Sequence, residues 1–131
     1  MEKMNTKVMV GDWVLRKGDG PGDAVPVQVT PSMLCEGPDF WDKHYGYLEL
    51  TEDILRKNGF HGDGYLFLDI DENIHFEYYP HEKRLTRWYR GVDEWENHSE
   101  VKDITFRCTC RYVHEFQQAL RLCKVQTEIV V

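Results

Sequence analysis

The fold of this chain is decided by one stretch near its end, Phe106-Arg107-Cys108-Thr109-Cys110-Arg111-Tyr112-Val113-His114-Glu115-Phe116-Gln117-Gln118-Ala119-Leu120-Arg121-Leu122-Cys123. Its second half predicts an amphipathic helix, because apolar residues recur at helical spacing and collect on one side. The apolar set is Tyr112, Val113, Phe116, Ala119, Leu120 and Cys123. Such a helix must pack its apolar face on another element. We expect Thr109 to cap it.

The remainder of the chain predicts short strands, a short helical turn over Thr30–Leu34 with Thr30 as its cap, and one further helix. Strands are expected over Val8–Arg16, Ala24–Thr30, Tyr45–Leu50, Tyr65–Ile70, Ile74–Tyr79, Leu85–Arg90 and Val101–Arg107, with a closing strand over Thr127–Val131. The short middle helix follows Thr51, which serves as N-cap, and ends before Gly59. The segments Glu36–Lys43 and Gly91–Glu100 are expected as loops, and Pro26 indicates an outer strand.

These elements predict an α+β fold. We expect a mostly antiparallel sheet of about six strands, with the C-terminal amphipathic helix packed on one face and a short middle helix. The chain has 131 residues, of which 41% are apolar and 30% charged. This composition is typical of a globular protein and sufficient for one core. We therefore expect residues 1–131 to form a single α+β domain, with residues 1–7 as a frayed N-terminal segment.

The chain contains no apolar run long enough for a signal peptide or a bilayer span. We therefore expect a cytoplasmic protein that does not enter a membrane and keeps its cysteines reduced. A disulfide between Cys108 and Cys110, two residues apart on a strand, would be geometrically awkward.

The charge of the chain is acidic and unevenly distributed. The net charge is −7, and residues 61–100 alone contain ten acidic against four basic residues. Binding to nucleic acid requires clustered lysines and arginines that neutralise phosphates. This composition therefore indicates that nucleic acid is an unlikely partner.

Three strings in the chain resemble a known group of proteins. They are Gly11-Asp12-Trp13-Val14, the segment Leu50–Phe60, and the segment Tyr112–Leu120. In order and spacing they are similar to a family of short proteins from Bacteroidetes genomes, prophages and other mobile elements. No activity is known for that family, so the resemblance implies a compact intracellular domain and a mobile-element context but no catalytic residue. The region Pro80–Asp103 carries none of these strings.

Four residues are candidate ligands of a metal site, since thiolates and imidazoles are the ligands that zinc prefers. They are Cys108, Cys110, His114 and Cys123. The sequence spacing of these four residues does not match that of common zinc sites, which use two pairs of closely spaced ligands. Cys123 also falls on the apolar side of the helix, whereas His114 points in a different direction from the helix axis. Because buried free cysteine is a common core residue, we predict neither a metal nor another cofactor.

His114 and Gln117 are candidate binding residues, although a histidine at the edge of a helix stripe more often has a structural role and bonds a backbone carbonyl on the next strand. Adjacent His114 and Glu115 point about 100° apart on a helix, so they do not form an acid–base dyad by themselves. No set of nucleophile, base and orienting residue is visible in the sequence. The prediction therefore contains no catalytic residue, although a small enzyme centred on His114 stays open as an alternative.

The strand Leu85–Arg90 provides the other candidate binding residues. Alternation places Leu85, Arg87 and Tyr89 on one face, and Arg84, Thr86, Trp88 and Arg90 on the other. We expect Leu85 and Tyr89 to face the core because their set holds fewer charges. Trp88 would then stand on the open face between Arg84 and Arg90, a composition typical of binding hot spots.

Together these observations favour a non-enzymatic protein-interaction module whose partner is another protein or a second copy of the chain, and the resemblance implies the context of a mobile genetic element. An alternative is an acidic decoy that occupies a nucleic-acid-binding protein. A contiguous acidic stripe would favour the decoy. A pocket containing His114 and a carboxylate would favour the enzyme, and an exposed aromatic patch would favour the module.

Overall fold

The computed structural model describes residues 8–20, 22–93, 99–125 and 128–131. It confirms the α+β class and the C-terminal helix. In chain order the elements are β1 (Trp13–Arg16), β2 (Val25–Gln28), α1 (Pro31–Leu34), α2 (Pro38–His44), β3 (Tyr45–Gly46), α3 (Glu52–Lys57), β4 (Leu66–Asp69), β5 (Ile74–Tyr79), β6 (Arg84–Asp93), β7 (Ser99–Thr109) and α4 (Val113–Leu122). The strands divide between two antiparallel sheets rather than forming one.

The first sheet is small and has the strand order β2-β1-β3. Pro26 lies on the outer strand β2, as predicted, where a residue without an N–H donor is tolerated. Val14, Val29 and Trp41 form a separate small core beside this sheet. Trp41 belongs to α2, so the prediction of a loop over Glu36–Lys43 was wrong. The missed signal is Pro38, which occupies the first turn of that helix.

The second sheet is a meander with the order β4-β5-β6-β7, as expected for sequential strands joined by short turns. β6 and β7 are longer than predicted, and together they cover both ends of the segment expected as a polar loop. The middle of that expected loop, residues 94–98, lies outside the described residues. The pairing of β6 with β7 skips one residue: Arg87 pairs with Phe106, whereas Trp88 pairs with Ile104. Thr105 is therefore the extra residue of a β-bulge.

The main core lies between this sheet and two helices. From the sheet it receives Leu66, Phe76, Tyr78 and Leu85, and from α3 and α4 it receives Ile54, Leu55, Val113, Phe116, Ala119 and Leu120. α3 has the predicted cap, because the Thr51 side chain accepts a hydrogen bond from the Ile54 N–H at 3.2 Å. Gly59 adopts the left-handed backbone (φ 95°) that ends this helix.

Both ends of the C-terminal segment differ from the sequence prediction. α4 begins at Val113, and its N-cap is Tyr112 rather than Thr109. Glu115 explains the start, because its carboxylate accepts hydrogen bonds from the N–H groups of Arg111 and Tyr112 at 2.9 and 3.0 Å. Of the predicted closing strand, Thr127 lies outside the described residues, and residues 128–131 are not a strand.

Those last residues are nevertheless fixed to the domain. The Ile129 carbonyl accepts a hydrogen bond from the Trp13 indole at 2.8 Å. Asn58 exchanges two hydrogen bonds with the backbone of Val130, at 2.7 and 2.9 Å. The buried Ile129 side chain completes the main core. The prediction of a closing strand was therefore wrong for residues 128–131, because side-chain hydrogen bonds hold the tail instead of a strand ladder.

Candidate interaction surface

The four-stranded sheet has a second face that points away from α4, and we call it the open face. Strand register assigns to it Phe67 and Asp69 of β4, His75, Glu77 and Tyr79 of β5, Arg84, Thr86, Trp88 and Arg90 of β6, and Ile104, Arg107 and Thr109 of β7. Within the described residues, none of these side chains belongs to either apolar cluster. The predicted binding residues Trp88, Arg84 and Arg90 therefore share one surface.

Trp88 is half-buried on this face and held by a specific hydrogen bond. Its indole N–H donates to Oε2 of Glu77 at 2.8 Å. The same oxygen accepts a hydrogen bond from the Tyr79 hydroxyl, also at 2.8 Å. This bond, more than any other influence, raises the pKa of Tyr79. One carboxylate thus fixes two aromatic rings, which reduces the entropy that they would lose on binding a partner.

Arg84 and Tyr65 extend this aromatic arrangement. The Arg84 guanidinium lies 4.8 Å from the centre of the Tyr79 ring, a cation–π distance, and it pairs with Glu82 at 2.8 Å. On the other side of Tyr79, the ring of Tyr65 stacks at a centroid distance of 5.6 Å. Tyr65 is 46% exposed and therefore available to a partner.

Beside these rings the open face forms a groove of about 300 Å³, lined by Tyr65, Phe67, Asp69, His75, Glu77 and Arg90. Its lining contains an Asp–His pair in which Asp69 Oδ1 lies 2.5 Å from His75 Nδ1. The groove combines aromatic walls, two carboxylates and one arginine. Such a mixed lining fits polar and aromatic side chains of a protein better than a polyanion.

Sequence reasoning missed Glu77 and His75 as members of this surface. The signal that could have found them is the short turn between β5 and β6. That turn pairs Tyr79 with Arg84, and the ladder then pairs His75 with Trp88. Because directly paired residues share a face, choosing the open face of β6 also chooses that of β5.

The two predicted core residues of β6 have different outcomes. Leu85 is fully buried, as expected. Tyr89 is 37% exposed, so its assignment to the core was wrong. It pairs with Ile74 and Asp103 beyond the bulge. Tyr89 is on the predicted face, but that face extends past the part of the sheet that the main core covers.

His114 lies at the opposite side of the domain, inside the protein. Its side chain is 0% exposed, and neither ring nitrogen has a hydrogen-bond partner among the described residues. The ring stacks on Tyr47 and Tyr112, with centroid distances of 5.3 and 5.9 Å. Burial is the main cause that lowers its pKa, while the charges of Glu115 and Asp12 act in the opposite direction. A neutral imidazole packed in this way has no surface for a substrate.

Gln117 is also buried, and its carboxamide is used inside the chain. Its oxygen accepts a hydrogen bond from the Trp13 N–H at 2.8 Å, and its nitrogen donates to the Gly11 carbonyl at 3.0 Å. Next to it, Gln118 donates to the fully buried carboxylate of Asp12, which also pairs with Arg121 at 2.6 Å. These contacts, which we call the Gln117 clamp, connect α4 to the first sheet.

The three cysteines of the candidate metal site lie at two places. Cys108 and Cys110 are at the C-terminal end of β7, and Cys123 follows α4. The sulfur atoms of Cys108 and Cys110 are 3.5 Å apart. Cys123 is half-buried at the C-cap of α4, and His114 is enclosed by tyrosines instead. In the part of the chain that the structure describes, no three His, Cys, Asp or Glu side chains come together as metal ligands.

Comparison of the chain with protein-family models, curated proteins and solved structures finds no match in any of the three. Among the described segments, no helix has both the length and the apolar character needed to cross a bilayer.

Proposed function

We propose that this protein is a non-enzymatic interaction module that binds a protein partner through the open face of its four-stranded sheet. The observation that carries the proposal is the Glu77-centred arrangement of Trp88 and Tyr79 with Arg84 stacked beside it. Tryptophan, tyrosine and arginine are the residues most enriched at energetic centres of protein interfaces. Their fixed positions favour binding because little side-chain entropy remains to be lost.

The alternatives are less well supported by the geometry. A decoy that imitates nucleic acid requires a continuous acidic surface, whereas Arg84, Arg90 and Arg107 interrupt the acids of the open face. An enzyme centred on His114 requires substrate access to an imidazole that is 0% exposed. The resemblance of the three sequence strings supports, as a further part of the proposal, a cytoplasmic role in a mobile-element context with a host protein as partner.

The test compares variants that separate binding from stability. Trp88→Ala removes the aromatic centre, and Arg107→Glu reverses an exposed charge on the same face. Leu122→Ala is the matched control, because Leu122 is 74% exposed on α4, away from the sheet. Arg107→Glu and Leu122→Ala should each change the free energy of unfolding by less than about 0.5 kcal/mol. Trp88→Ala should cost about 1–2 kcal/mol, since it loses one hydrogen bond and part of its packing.

Each immobilised protein is used to capture partners from host lysate with quantitative mass spectrometry, and sedimentation velocity measures self-association. We expect a partner that is retained by the wild type and by Leu122→Ala and lost from both open-face variants. If the wild type and Leu122→Ala self-associate and the open-face variants do not, the partner is a second copy. Equal capture by all four proteins would contradict the proposal.

A further inference from the structure

A pair of touching thiols lies at the end of β7, on the side of the sheet opposite to the open face. The Sγ atoms of Cys108 and Cys110 are 3.5 Å apart, which is van der Waals contact. Cys110 is fully buried, whereas Cys108 is half-buried and is the more exposed residue of the two. The pair takes no part in the proposed interaction surface.

The backbone on both sides of the pair is fixed. The Cys110 N–H donates to the Lys83 carbonyl at 2.7 Å, and the Cys110 carbonyl accepts from the Tyr78 hydroxyl at 2.7 Å. Cys108 lies in the ladder directly opposite Leu85. The sulfurs can therefore approach the bonding distance of about 2.05 Å only by rotation of the two side chains.

The two thiols have unequal acidities. The hydrogen bond from the Cys110 thiol is the main cause that lowers the pKa of Cys108. The same contact, followed by burial, raises the pKa of Cys110. Since the thiolate is the reactive form, Cys108 is the residue that attacks an oxidant. Cys110 stays a neutral thiol in contact with it and is placed to resolve the product.

We propose that Cys108 and Cys110 form an oxidant-responsive dithiol that closes to an intrachain disulfide on reaction with hydrogen peroxide. In the first step the Cys108 thiolate attacks a peroxide oxygen, the O–O bond breaks, and the leaving oxygen departs as water after protonation. Cys108 becomes a sulfenic acid. In the second step the Cys110 sulfur attacks the Cys108 sulfur, the S–O bond breaks, and the hydroxide leaves as water with the proton from Cys110. Two thiols and one peroxide thus give one disulfide and two waters.

The disulfide should be easy to reduce. Two cysteines separated by one residue and held by a fixed backbone cannot relax to an unstrained disulfide, and strained disulfides have the more oxidising potentials. The pair would consequently act as a reversible modification site rather than as a structural crosslink.

Cys123 is the competing thiol. It lies near Cys108 and Arg87, and burial is the main cause that raises its pKa. If Cys123 resolved the sulfenic acid, the disulfide would connect β7 to α4 instead of closing within β7. The two products can be separated because trypsin cleaves after Arg107, Arg111, Arg121 and Lys124. The fragment of residues 108–111 then holds both proposed partners, and Cys123 lies in the fragment of residues 122–124.

The experiment treats the reduced full chain with one equivalent of hydrogen peroxide, alkylates it under denaturing conditions, and maps the tryptic fragments by mass spectrometry. We expect the fragment of residues 108–111 to lose two hydrogens and to carry no alkyl group, while Cys35 and Cys123 are alkylated. Dithiothreitol should restore both alkylation sites on that fragment. Alkylation of both its cysteines after peroxide, or its linkage to the fragment of residues 122–124, would overturn the proposal.

Variants assign the two roles, and Cys35→Ser is the matched control, because Cys35 is exposed on α1's C-cap and outside the pair. Cys35→Ser should give the same internal disulfide. Cys110→Ala should stop at a Cys108 sulfenic acid that dimedone traps, whereas Cys108→Ala should give no dimedone adduct on Cys110. Disulfide formation between Cys108 and Cys123 in the Cys110→Ala protein at the wild-type rate would contradict the assignment of Cys110. The wild-type fragment map decides the proposal even if a variant fails to fold.

Discussion

The Gln117 clamp gives the sharpest stability prediction, because one side chain satisfies two backbone groups that are more than 100 positions away. Truncation in Gln117→Ala leaves the Trp13 N–H without its partner. The Gly11 carbonyl retains a second donor, the Gln28 side chain at 3.2 Å. One orphaned donor costs about 1–3 kcal/mol, and the lost methylene adds about 0.8 kcal/mol. The expected loss of stability is therefore about 2–4 kcal/mol.

A second variant separates the hydrogen bond from the packing. Gln117→Met has nearly the same length but cannot accept a strong hydrogen bond, so it should cost about 1–3 kcal/mol. Leu122→Ala, with its 74% exposed side chain, is the control on the same helix and should cost less than about 0.5 kcal/mol. Equilibrium urea unfolding measures all three free energies.

Amide hydrogen exchange provides a local measurement of the same bond. The Trp13 amide should exchange faster in both Gln117 variants than in the wild type, because its hydrogen-bond acceptor is gone. If Gln117→Met is within about 0.5 kcal/mol of the wild type and leaves Trp13 exchange unchanged, the clamp does not stabilise the fold.

Two further predictions concern α4. Phe116→Ala should cost about 3–5 kcal/mol in a urea melt, the range for truncation of a buried aromatic, and a cost below about 1 kcal/mol would contradict its position in the core. Burial lowers the pKa of His114, so above about pH 6.5 the imidazole is neutral in folded and unfolded chains alike. Below that pH the unfolded chain binds the proton first, and stability falls until the lower folded pKa is passed. His114→Phe should remove this part of the acid destabilisation, and an unchanged pH slope in that variant would refute the explanation.

The sequence predicted α4 well because helical periodicity is a local property. It did not predict that His114 and Gln117 are buried, since both are polar and fall outside the apolar set. Their burial depends on Tyr47, Gly11 and Trp13, which are distant in sequence. A polar residue is buried when distant groups satisfy or enclose it, and helix periodicity carries no information about those groups.

The sheet shows the same division between local and distant determinants. Alternation along β6 correctly grouped Trp88 with Arg84 and Arg90, since side chains change face at every residue. The bulge at Thr105 is different, because it is defined only by how β7 pairs with β6. It places Ile104 and Arg107 on the same face although they are three positions apart. Simple alternation along β7 would have assigned them to opposite faces.

That bulge also bears on which part of the sheet meets a partner. Among the described strands, β7 is an outer strand of its sheet, and an unpaired outer edge is the place where a strand of another molecule can add. A bulge and exposed charged residues are devices by which natural sheets prevent such pairing, and β7 has both, with Asp103 and Arg107 exposed. The edge is therefore poorly suited to strand addition, whereas the neighbouring face displays ordered aromatic rings. This contrast favours the proposed interaction through side chains of the open face over strand addition at the edge.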